Sequence, residues 1–333
     1  MERTQRDGPA SLGRGTGREP GFDNLRFVLI FCVVFAHLAG MFPGRWASAL
    51  YTVIYSFHMP AFLFLTGRFA RFRPGKLLRH LVLPYFVFQT LYLLFDWFVL
   101  QDRQGTFRLY YTTPYGLMWY LMTASVFFLL LPMIGTERRS TALAVLGGAA
   151  VLALLIGFDA SVSSYLSLSR IVVFFPFFAA GFYSAKVLDP APVLQRMRKH
   201  KWLVGAVLAA AILGCEYLLL RMNVHRLTLF GMCGYQVSDS SVAERLLLGV
   251  CACLWITALL LWVPNRRIPW LTAIGENTMA IYLLHGFVQK LLEKYEVFRF
   301  SQKINLVLAL AITCVILAAF GNRYVGKLFR KIF

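Results

Sequence analysis

Arg26 and His37 occur eleven residues apart in one apolar stretch, GFDNLRFVLIFCVVFAHLAG. Eleven steps of 100° amount to three turns plus about 20°, so a helix carries both side chains on nearly one face, about 16 Å apart along its axis. A cation and an imidazole within an apolar span are costly to keep, which makes them candidates for chemistry rather than packing. Imidazole suits general-base work because it titrates near neutral pH and can accept a proton as a bond forms.

A second set lies in YSFHMPAFLFLTGRFARFRPGK. His58 precedes Met59 and Pro60 in mid-span. Proline removes a backbone hydrogen bond and kinks a helix, so His58 faces either a cavity or a neighbouring carbonyl. The two histidines fall at similar depth, and with Arg26 they could form a polar pocket. The stretch then reaches Arg68 and Arg71, followed by Arg73 and Lys76. On a continuing helix Arg68 and Arg71 share one side at its mouth. Guanidinium forks bind phosphate in a bidentate manner, although positive charge beside membrane spans explains these residues without any ligand.

Other polar groups carry weaker expectations. Trp119 and Tyr120 read as packing or interface anchors. Arg170 reads as either a snorkelling anchor or an outer substrate contact. Glu276 and Asn277 fall near the start of a late span, with Tyr282 and His285 deeper on it, and His285 reads as core or as a group supporting the site from behind. Asp23 reads as a helix cap, with orienting Arg26 as the lesser reading, and Asp96 has no assigned role.

The elements that must hold these residues follow from composition. The 333 residues are 59% hydrophobic and only 15% charged, against about 25% charged for a soluble domain. This is the pattern of an all-α integral membrane protein, a polytopic bundle in one domain over 21–333. A span needs about 20 apolar residues. Ten are expected, at roughly 24–42, 47–67, 77–100, 114–134, 141–158, 170–187, 202–220, 243–263, 272–292 and 303–321. The basic stretch 1–20 reads as a disordered cytoplasmic tail. The longest outside loop, 221–242, reads either as a cover for a site or as an ordinary connector.

Net charge is +19, which in a soluble protein would suggest nucleic acid. Here 22 of the 34 Lys and Arg fall in alternate loops and the tails. The positive-inside rule accounts for them, places both termini in the cytoplasm and removes the reason to invoke nucleic acid. Five of the six cysteines sit within apolar spans, so neither a disulfide framework nor a metal site is expected. An apolar face on a membrane helix meets lipid or a second copy equally well, which leaves the oligomeric state open.

Read in order, several segments resemble the acyltransferase-3 superfamily of multi-span membrane O-acyltransferases. FDNLRFVLIFCVVFAH resembles its opening helix, with Arg and His in an Arg-x10-His pattern. YTVIYSFHMPAFLFLTGRFAR resembles its second helix and R-x-x-R pair. TPYGLMWYLMTA, SRIVVFFPFFAAGFY and IGENTMAIYLLHGF resemble later helices. The likeness covers about residues 21–320, and the FHMPAF and SRIVVFFPFF wording is nearest the fucose 4-O-acetylase-like branch. A C-terminal esterase-like domain found in larger relatives is not expected here.

The resemblance implies transfer of an acyl group, usually acetyl, from cytosolic acyl-CoA to a hydroxyl of an envelope sugar or lipid-linked glycan. It implies His37 as the essential histidine with Arg26 beside it, His58 at the second-helix position, and Arg68 with Arg71 at the R-x-x-R position. The residue types themselves then suit His37 as general base, His58 as a donor to the developing thioester oxyanion, and Arg68, Arg71 and Arg73 as contacts for the phosphates of a CoA donor. Acetyl-CoA is then a co-substrate, with no tightly bound cofactor. Histidines and arginine in a membrane cavity also suit a proton-coupled transporter of a glycan or small metabolite. A membrane sensor with a decayed site is a third reading.

Overall fold

A computed structural model describes residues 19–101, 107–162 and 165–333. The expected N-terminal tail falls, but for its last two residues, outside them. No strand occurs among the described residues. Hydrocarbon offers backbone N–H and C=O groups no partner, so each crossing segment must satisfy them internally as helix.

Among the described residues, nine helices are long and apolar enough to cross a membrane. They are α1 (Pro20–Ala39), α2 (Arg45–Arg68), α3 (Pro74–Leu100), α4 (Gly116–Ile134), α5 (Arg139–Phe158) and α6 (Tyr165–Ser184), then, after the short α7 (Ala191–Lys199), α8 (Lys201–Arg221) and α9 (Val242–Trp262), and finally α12 (Gln302–Phe320). Each falls within a few residues of an expected span.

The span expected at 272–292 differs. It is built in two pieces, α10 (Pro269–Gly275) and α11 (Thr278–Lys294), interrupted at Glu276 and Asn277. Gly275 lies so close to the Asp23 carbonyl at the start of α1 that a Cβ there would come within 1.9 Å of it. Near the other end, Gln289 bonds His37 at 3.0 Å. The two-piece element therefore runs alongside α1, in the same direction and through the same depth. A short C-terminal helix, α13 (Arg323–Ile332), completes the chain.

Contacts sort the helix ends onto two faces. On one, Gly21 N donates to Asn265 (3.0 Å), Arg68 to Ser184, Tyr183 to the Ile134 carbonyl (2.7 Å) and Arg79 to the Lys331 carbonyl (3.1 Å). Residue 19 and the C-terminus both belong to this face, which also carries the two short basic helices α7 and α13. It is called the basic face below. On the opposite face Lys294 Nζ meets the Val99 carbonyl (2.7 Å), and Leu166 N meets that of Thr112 (2.6 Å).

A close backbone-to-backbone crossing joins α2 to α6. A Cβ at Gly67 would approach the Phe178 carbonyl to 1.9 Å, and one at Gly181 would approach that of Phe64 to 1.9 Å. Small residues let membrane helices meet backbone to backbone, which maximises van der Waals contact where lipid removes the hydrophobic drive. The α2 helix itself runs unbroken through Pro60.

Candidate active site

His37 projects from the last turns of α1 into a cavity of about 460 Å³. The cavity is lined from α1, α2, α4, α6, α11 and the connector between α8 and α9, and its rim on the opposite face includes Lys290 and Glu293. The 221–242 connector is a cover: Arg226, Leu229, Phe230 and Met232 form one wall.

The His37 Nδ1 lies 3.0 Å from Gln289 Oε1. Against that carbonyl oxygen Nδ1 carries the proton, so Nε2 holds a lone pair. A base whose ring is fixed by a third group is the arrangement that nucleophile activation needs. The His285 ring stands 5.2 Å from the His37 ring, and its Nδ1 faces the Ile281 carbonyl at 3.0 Å. Its Nε2 is buried without a hydrogen-bond partner. His285, one turn before Gln289, therefore belongs to the site and not to inert core.

His58 is buried against the wall. Its Nδ1 donates to the Ile54 carbonyl at 2.7 Å, and its ring stacks edge-on to Tyr55 at 4.7 Å. Tyr55 also faces His37, 6.4 Å between ring centres. A neutral His58 with its proton on Nδ1 offers only an acceptor at Nε2. It can act as the expected oxyanion donor only as imidazolium.

Arg170 supplies the fixed positive charge. It is 8% exposed and lines the cavity from the first turn of α6, so it is not a snorkelling anchor. Its guanidinium lies 4.8 Å from the Trp119 ring, and Nε donates to the Phe230 carbonyl at 3.3 Å. Trp119 is thereby a cavity wall. A smaller cavity of about 80 Å³ continues below, sharing Val33, Met59 and Tyr282 with the first and adding Phe62, Tyr120 and Met279.

Three arginine expectations change. Arg26 shares a helix face with His37 but not its cavity. It pairs with Asp23 at 2.6 Å and stacks over Phe69 at 4.8 Å, near the basic face. Asp23 thus holds Arg26 and is no helix cap, because α1 already begins at Pro20. The helical R-x-x-R geometry does not hold, since α2 stops at Arg68 and Arg71 lies in the irregular connector beyond it. Arg68 reaches Ser184 (Oγ 3.1 Å, carbonyl 3.2 Å) and lies over Phe22, which makes it a clamp between α2 and α6. Arg71 and Arg73 are exposed on the basic face.

Sequence reading passed over four residues that matter here. Tyr55 and Gln289 had a signal in position, one helical turn from His58 and from His285. Arg226 sat in a connector and had none. Glu216 had a strong one, as an acid deep within an apolar span. Its Oε1 accepts from Ser56 (2.7 Å), Trp255 (2.9 Å) and Cys251 (3.2 Å), tying α8 and α9 to α2 two residues before His58.

A family profile described as an acyltransferase domain, acyltransferase 3, matches residues 19–321. The chain belongs to this family. It is a membrane acyltransferase, and the cavity above is the family member's candidate active site. The chain is also similar to the nodulation protein NolL of Mesorhizobium japonicum, at 22% identity over 93% of this chain and 88% of that protein. No solved structure matches this acyltransferase.

Proposed function

We propose that this acyltransferase moves an acetyl group from acetyl-CoA to a hydroxyl of an envelope sugar or glycan, with His37 as general base. The observation that carries the reading is the Gln289–His37 pair in a cavity that also holds Arg170. The Nε2 lone pair of His37 takes the hydroxyl proton as the oxygen attacks the thioester carbonyl. The new C–O bond forms, the C–S bond breaks, and the proton passes from His37 to the departing thiolate. The negative charge that develops on the carbonyl oxygen needs a nearby fixed positive group; Arg170 carries it in preference to His58.

The basic face is assigned to the cytoplasm by its positive charge. Arg68, Arg71 and Arg73 there draw the CoA phosphates, and the pantetheine arm follows the smaller cavity past Tyr120 toward His37. Arg26, held by Asp23, stands beside that path. The acceptor enters from the opposite face.

The test is CoA release by purified protein in nanodiscs, with an envelope-glycan extract as acceptor. Release should require the acceptor, and His37→Ala should lower it by about 10²- to 10⁴-fold, the span of general-base effects. Unchanged release by a folded His37→Ala protein would remove the base assignment. If wild type neither binds nor consumes acetyl-CoA, the donor assignment fails and transport of a polar solute becomes the better reading.

A further inference from the structure

A second cavity, of about 440 Å³, opens between α5, α6 and α9. Small residues make the room: Ala150 and Ala153 on α5, Ala180 on α6 and Gly249 on α9. Leu246 and Val250 on its α9 wall are 52% and 45% exposed. The cavity is therefore a trench that opens sideways into bilayer hydrocarbon.

An apolar trench alone would fill with any lipid. This one ends in two unused polar groups. Arg245, in the first turn of α9, is 6% exposed and lines the trench. Its terminal nitrogens donate to the carbonyls of Ala153 (3.3 Å) and Cys233 (2.8 Å), and it stacks over Tyr235 at 4.5 Å. Its partners among the described residues include no carboxylate. Among the described residues, neither the buried Arg245 Nε nor the buried Oγ1 of Thr228, which lines the same trench, has a hydrogen-bond partner. Buried donors left bare are costly, and a guanidinium with a neighbouring hydroxyl suits phosphate oxygens. Arg245 stands in the first turn of α9 and Thr228 in the connector before it, at the end of the helix where a lipid's polar head would be expected.

The trench also adjoins the His37 cavity. Tyr55, Phe174 and Leu229 line both. From these observations we infer that the trench binds the hydrocarbon chain and phosphate of a long-chain lipid phosphate, whose attached glycan reaches into the His37 cavity as the acceptor. The glycan half of this inference rests on the acyltransferase reading above; the lipid half does not.

The probe is a photoreactive hexadecyl phosphate, compared with the matching photoreactive hexadecanol, on the full-length protein in nanodiscs. Wild type should label several-fold more with the phosphate, within 150–154 or 246–257. Arg245→Gln should abolish that preference. Gly249→Leu should reduce labelling by both probes, and it tests the trench without disturbing Arg245. A Cβ at Gly249 meets nothing within 4 Å, so the variant should melt as wild type does.

Equal labelling by the two probes, or a phosphate preference that survives Arg245→Gln, would leave only bulk lipid in the trench and overturn the inference. Labelling by both probes that is undiminished in Gly249→Leu would overturn it as well. Turnover is read separately. Phosphate-selective labelling without CoA release sinks the transferase reading and spares the trench. CoA release with unselective labelling does the reverse.

Discussion

Gln289 is the residue that fixes the His37 ring, since its carbonyl oxygen sets which ring nitrogen carries the proton. In the proposed mechanism it would also steady the imidazolium formed during attack. Gln289→Leu should therefore lower turnover by about 10- to 150-fold, the worth of a hydrogen bond to a group that becomes charged, about 1.5–3 kcal/mol. The Michaelis constant for acetyl-CoA should stay near the wild-type value. Steady-state kinetics decide it: a rise in that constant alone would make Gln289 a binding residue. Arg170→Lys probes the neighbouring charge. It keeps the cation but loses the planar group over Trp119, and it should lower the rate while leaving the fold intact, as read by thermal unfolding. Histidine and arginine were visible in the sequence because charge stands out against an apolar run. Gln289 and Tyr55 stood out only by position, one turn from a histidine, because a neutral polar side chain or an aromatic ring in such a run has no cost that marks it.

At the scale of helices, the α2–α6 crossing positions both His58 and Arg170. Gly181 sits with its Cα nearly against the Phe64 carbonyl. Gly181→Leu cannot be absorbed by a side-chain shift, and its cost should exceed the about 1–3 kcal/mol of ordinary overpacking. Gly148→Leu on α5 meets nothing within 4 Å and is the matched control. Melting curves in detergent should separate the two; equal curves would mean that the crossing adapts. Helix positions were readable in advance because a crossing segment must be long and apolar. Crossings were not, since glycines occur throughout this chain and their partners lie over a hundred residues away. The broken element at Pro269–Lys294 was also hidden: its hydropathy reads as one span, while Asn277, bonded to the carbonyls of Ala273 and Gly321 (both 3.0 Å), interrupts it.

For the molecule as a whole, the His37 cavity has Lys290 and Glu293 at its rim on one face, while the arginines of the basic face stand on the other. Reporter fusions at the two termini should both read as cytoplasmic. A single cysteine replacing Lys290, in a chain lacking its six native cysteines, should react with an impermeant maleimide added outside cells. Labelling only after lysis would reverse the assignment of the faces. Charge alternation predicts both termini in the cytoplasm; the contacts put the start of α1 and the C-terminal helix on one face, and the fusions decide which side of the membrane that face meets. The trench was not readable, because its walls are the same alanines, leucines and valines that face lipid everywhere.

Asn277 has one more consequence. Its side-chain oxygen accepts from Arg330 at 2.9 Å, so the final short helix is fastened to the joint from which α11 starts. Gln289 lies twelve residues further along that rod, about 18 Å away. Trimming the last ten residues, a routine step when a tag or a crystallisable chain end is wanted, would free the lower end of a lever whose upper end holds the His37 imidazole. Such a shortened protein should insert normally and turn over poorly.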